Sequence, residues 1–174
     1  MFIDLRWLLF AACALVLWFV CVLVNEQIGL WNISIYLMGV TLVIPALRLS
    51  FRAGLAAIAL PALLMDAQMP LPFGASLFIF CLVWLLVRAN VKNIRLNNFL
   101  HMTLAAQLCN LLCFVGLSLF MAENSLAYWL RALTDLALSQ LLLLIVAPWF
   151  FALEKNLMRA LNLDLQLPTN AQRP

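Results

Sequence analysis

WLLFAACALVLWFVCVLV, residues 7–24, runs for eighteen positions without a charged side chain, a proline or a glycine. A bilayer crossing needs about 20 predominantly apolar residues, within a range of about 17–25, whereas about 10–14 suffice for a helix buried in a soluble core. Length therefore makes this run a membrane span. It exceeds the apolar core of a secretory leader, its single Arg6 is offset by Asp4, and no small-x-small cleavage site follows it. We expect a retained first helix.

Five further apolar runs follow, at about 30–47, 53–69, 71–87, 99–122 and 136–153, separated by short polar breaks. The third carries Pro61 and ends near Asp66, and Pro70 and Pro72 turn the chain into the fourth. A re-entrant hairpin is the alternative for that pair, because broken backbone at membrane depth is tolerated where protein surrounds it. The expected fold is all-α, a polytopic membrane protein with six transmembrane helices in one domain over residues 1–160. Residues 161–174 are expected to form a cytoplasmic tail. Between Glu154 and Leu167, the spacing of Leu157, Leu161 and Leu165 suggests a short amphipathic continuation along the membrane surface.

Composition agrees with this reading. The chain is 67% hydrophobic and 10% charged, with a mean hydropathy of +1.09, against about 45–50% and about 25% in soluble domains. No stretch is left over for a soluble catalytic domain. The net charge of +3 is dispersed at the ends of apolar runs, which reads as a topology signal and not as a nucleic-acid patch. With a cytoplasmic N-terminus, the inner segments hold Arg6, then Arg48 and Arg52, then Arg88, Lys92 and Arg95, then Lys155, Arg159 and Arg173. Only Arg131 falls outside, so both termini are expected in the cytoplasm. Trp7, Trp31, Trp129 and Trp149 lie near span ends, where interfacial aromatics belong.

Few polar residues interrupt the spans. Asp66, near the end of the third, needs a partner or water; the lone outer cation, Arg131, suggests an Asp66–Arg131 pair. Gly54 and its neighbouring alanines make the third span small-sided, as close helix packing requires. Thr103, Gln107, Asn110 and Phe114 recur at helical spacing on the fifth, a polar stripe expected to face other helices. Catalysis finds no support. The Gly116-Leu117-Ser118-Leu119 stretch superficially matches an intramembrane serine-protease motif, but His101 lies 17 positions away in one helix, about 25 Å at about 1.5 Å per residue. A base must come within about 3 Å of its nucleophile. The five cysteines all fall in apolar runs, without a CxxC or any convergent metal ligands. No cofactor or metal is expected.

The stretch Arg52-Ala53-Gly54-Leu55-Ala56-Ala57-Ile58-Ala59-Leu60-Pro61-Ala62-Leu63-Leu64-Met65-Asp66, followed by Leu71-Pro72-Phe73-Gly74, resembles MreD, the membrane-embedded rod shape-determining family of bacteria. Those sequences similarly carry a basic loop, a small-residue helix ending in aspartate, and a glycine at the head of the next helix. Pro148-Trp149-Phe150-Phe151 with its basic continuation is similar too, and the likeness covers about residues 30–160. Pro61, and the pair Pro70 and Pro72, depart from the family pattern.

The resemblance implies a non-enzymatic scaffold of the cell-elongation machinery in the bacterial inner membrane. It implies binding to MreC and, in the same complex, to RodA, its transpeptidase partner and MreB, with membrane lipid as surroundings and no nucleic acid. Gly54, Asp66, Gly74, Gln107, Asn110 and Arg131 are the interaction candidates. A different class of similar size is the membrane substrate-binding subunit of an energy-coupling-factor vitamin importer. In that reading Asp66, Gln107, Asn110 and Gln140 would line a cavity open to the outside.

Overall fold

A computed structural model describes residues 6–68, 72–91, 99–122 and 125–161. Among them the chain is helical, with no strand: α1 (Arg6–Ile28), α2 (Val40–Arg48), α3 (Phe51–Asp66), α4 (Ala75–Ala89), α5 (Phe99–Phe120) and α6 (Leu126–Ala160). Three of the helices are long and apolar enough to cross a membrane: α1 with the short 3-10 turn Gly29–Trp31 that continues it, α5 and α6. Helix α4 is apolar but shorter. The Pro70 part of the turn before α4, the basic residues Lys92 and Arg95, and the tail from 162 onward lie outside the described residues.

The second apolar run departs from the expected helix. Only Val40–Arg48 is helical, while 33–37 adopt no regular secondary structure and Asn32, at φ +55°, ends the 3-10 turn. The local sequence explains why. Asn32-Ile33-Ser34-Ile35 alternates short polar and β-branched residues, which resist the helix through side-chain competition for backbone groups and restricted χ1 rotation. What remains helical is the centre of the molecule. Every residue from Val40 to Leu47 is buried, and α2 contacts each of the other α-helices.

Around that centre, α1 packs on α3, α3 on α4, α4 on α5 and α5 on α6. Arg48, Lys155 and Arg159 gather at one end, where they line one cavity, and Arg88 reaches Leu49 next to it. Arg88 shows how that end is held. Its Nη1 donates to Leu49 O at 3.0 Å, and its guanidinium lies over the Phe51 and Trp84 rings at 5.7 and 5.2 Å. Ser50 and Ser125 cap α3 and α6, accepting from Ala53 N and Tyr128 N. Glu154-Lys155 and the residues to Ala160 continue α6 itself, with Leu157 packed against the core. Leu104, Leu108, Leu133, Leu141, Ile145 and many other large apolar side chains are exposed on the outside of the bundle.

Candidate functional site

Irregular backbone inside a helical bundle leaves N–H and C=O groups without helical partners, and burial makes each one costly. Here three helices supply the partners. From α1, Asn25 Nδ2 donates to Ile35 O at 2.9 Å and Asn25 Oδ1 accepts from Ile35 N at 2.7 Å. From α6, the Asp135 carboxylate accepts from Ser34 N at 3.0 Å and from Ser34 Oγ at 2.6 Å. One turn on, Ser139 Oγ accepts from Tyr36 N at 2.9 Å while donating to Asp135 O at 2.6 Å. From the middle of α5, Asn110 Nδ2 donates to Tyr36 O at 2.9 Å and its Oδ1 accepts from Gly39 N at 3.1 Å. The segment is thus held by side chains that match it group by group.

Beside this clamp lies a cavity of about 430 Å³, reached by Asn25, Ser34, Tyr36, Tyr128, Arg131 and Asp135. Its polar groups are largely engaged with one another or with backbone; the Tyr128 hydroxyl, for instance, donates to Ser118 O at 2.8 Å. Tyr36 sets its ring edge-on to Phe114, with centroids 6.1 Å apart.

The candidate residues divide among separate tasks. Asp66, 4% exposed, accepts from Gly74 N and Ser76 N, each at 2.9 Å, and so caps the N-terminus of α4 from the end of α3. Gly74 stands at φ +97°, a conformation that L side chains resist, which explains glycine at that position. The expected Asp66–Arg131 pair does not form. Arg131 instead approaches Asp135 on its own helix at 3.9 Å, and Asp66 already spends both oxygens on the cap. Gln107 and Gln140 join α5 to α6 reciprocally: each side-chain amide donates to the other's backbone carbonyl, at 2.9 and 3.2 Å. Gly54 admits the Trp84 indole, whose edge would meet a Cβ there at 2.6 Å.

Asp66 and Gly74 are therefore brought together, whereas Gln107, Asn110 and Arg131 each act elsewhere. Asn25, Ser34, Asp135, Ser139 and Glu154 were not singled out from sequence. Asp135 and Ser139 did carry a signal, as polar residues at i and i+4 in an apolar helix, since such a pair shares one face. Cys109 and Cys113 are buried and free on α5, and among the described residues no cluster of metal-binding side chains occurs.

The fold and this site define an all-helical protein with three helices long and apolar enough to cross a membrane. No family model matches the chain, and no curated protein and no solved structure matches it at the significance required.

Proposed function

We propose that this protein is a non-enzymatic, six-span scaffold of the bacterial inner membrane that serves cell elongation as MreD-type proteins do, by binding MreC and linking MreB to wall synthesis. The observation that carries the reading is the Asp66–Gly74–Ser76 cap. It unites the aspartate and glycine that ground the resemblance, and gives both a physical reason to stand where they do. The exposed apolar flanks of α5 and α6 offer surface for lipid and partner helices, where association rests on packing and interhelical hydrogen bonds.

Six crossings would follow the six apolar runs of the sequence, the second crossing as an irregular segment that leads into α2. Helix α3, at 16 residues, rises about 24 Å, and the buried Asp66 at its end caps the start of α4. The clustering of basic residues at the opposite end supports cytoplasmic termini over one continuous domain, residues 1–160.

The importer-subunit reading would have Asp66, Gln107, Asn110 and Gln140 converge on one cavity. Their hydrogen bonds run instead to a helix cap, a helix–helix contact and the irregular segment before α2. The deciding experiment is co-purification of the solubilised chain from bacterial membranes under mild crosslinking. MreC with RodA and the transpeptidase is the expected company; import ATPases or a tightly held vitamin would overturn the scaffold.

A further inference from the structure

At the basic end, a cavity of about 440 Å³ opens between α2, α5 and α6, with Ile44, Arg48, Met102, Glu154, Lys155 and Arg159 among its walls. Its volume lies within the range of about 300–1,000 Å³ typical of small-ligand sites. Glu154 lines it yet is only 1% exposed, and neither of its carboxylate oxygens has a hydrogen-bond partner. Arg48 Nε is likewise buried without a partner. Among the described residues no ion pair joins the two. Arg48 is close enough to act on Glu154 electrostatically but gives it no hydrogen bond, so both carboxylate oxygens remain open to a donor from outside the chain.

The walls define that other half. Glu154 offers two vacant acceptors and calls for a cation with N–H donors. Arg48, Lys155 and Arg159 on the same cavity call for an anion, which guanidinium and ammonium groups meet best as phosphate oxygens. Depth in the membrane narrows the source. Trp149, 77% exposed and about a turn and a half before Glu154, marks the boundary where aromatics sit at headgroup level.

We propose that this cavity holds the headgroup of an ethanolamine phospholipid, its ammonium against Glu154 and its phosphate against Arg48, Lys155 and Arg159. A glycerol headgroup would satisfy the cations but offers Glu154 only neutral hydroxyls, without the charge of an ammonium. A choline headgroup has no N–H to donate. The assignment is independent of any role in cell elongation.

Native mass spectrometry of the full chain, exchanged into micelles containing phosphatidylethanolamine, phosphatidylcholine or phosphatidylglycerol, tests it. Retention of the ethanolamine lipid over both others is expected. Glu154→Gln, which keeps the shape, should lower the ethanolamine-over-glycerol ratio about tenfold, as loss of a charge-assisted contact would. Lys155→Ala with Arg159→Ala, on the exposed rim, should weaken both lipids together without touching the core. Soluble phosphoethanolamine competes only if the headgroup alone suffices; failure to displace the lipid assigns the acyl chains a share and the membrane as source. Equal retention of all three lipids by the unaltered chain, or an unchanged ratio in Glu154→Gln, overturns the proposal.

Discussion

Gly39 lies so close to Asn110 that a Cβ added to it would stand 2.2 Å from the Asn110 Cα, while its N–H donates to Asn110 Oδ1 at 3.1 Å. The contact is with backbone, so no rotamer change can relieve it. Gly39→Ala should therefore push α2 away from α5 and cost about 3 kcal/mol or more, the upper end for overpacking. Asn110→Ala keeps the spacing but strands Gly39 N–H and Tyr36 O, at about 1–3 kcal/mol for each buried group. Reversible unfolding in micelles should rank both variants well below the unaltered chain; a Gly39→Ala protein of ordinary stability would refute this packing.

Asp66 and Arg131 should behave as strangers. Asp66→Ala removes the cap from α4 and should cost about 1–2 kcal/mol, toward the upper end for caps because the group is buried. Arg131 is more than half exposed, and Arg131→Ala should cost under about 1 kcal/mol. Since the two carboxylates, Asp66 and Asp135, serve different segments, the Asp66→Ala, Arg131→Ala double variant should be additive within about 0.5 kcal/mol. A larger coupling would restore the pair that the sequence suggested. Gly74→Ala should add its own penalty of about 1–2 kcal/mol from the positive φ.

Much of the architecture was legible in hydropathy, because the helices follow apolar runs whose lengths and flanking charges can be read directly. The exception is instructive. A window that averages hydropathy cannot distinguish Ile33-Ser34-Ile35 in an irregular segment from the same residues in a helix, although their short polar and β-branched side chains disfavour the helix. The polar clamp was hidden for a related reason. Asn25, Asp135 and Ser139 are distant in sequence from Ser34, Ile35 and Tyr36, and only the fold brings them within hydrogen-bond reach. Asp66 was recognised as needing a partner, but a backbone partner leaves no mark in sequence, so the lone cation expected on the outer side stood in for it. Glu154 was assigned to a surface continuation because Leu157 and Leu161 set the helical pattern there.

The Gln107–Gln140 pair predicts losses that sum. Removing one amide, as in Gln107→Leu, takes a donor from the Gln140 backbone carbonyl, while the Gln140 side chain keeps its bond to the backbone carbonyl at 107. Interhelical bonds of this kind contribute about 0.6 kcal/mol on average and up to about 1.7. The two bonds share no atom, so Gln107→Leu with Gln140→Leu should lose about the sum of the two single losses. If the double variant is instead close to the unaltered chain, the two side chains bond each other and the reciprocal geometry is wrong.

Sidedness can be read by cysteine labelling. The native cysteines are buried apart from the half-buried Cys81, so a membrane-impermeant maleimide should leave the parent chain largely unmodified. Gln68 and Ala122 are exposed at the end that carries Asp66, while Asn90 and Ala160 are exposed at the basic end. The positive-inside rule places the basic end in the cytoplasm. Gln68→Cys and Ala122→Cys should therefore label in intact spheroplasts, and Asn90→Cys and Ala160→Cys only after permeabilisation. If all four label from one side, α3, α4 and the α5 connection do not traverse the bilayer, and the short α3–α4 hairpin is re-entrant.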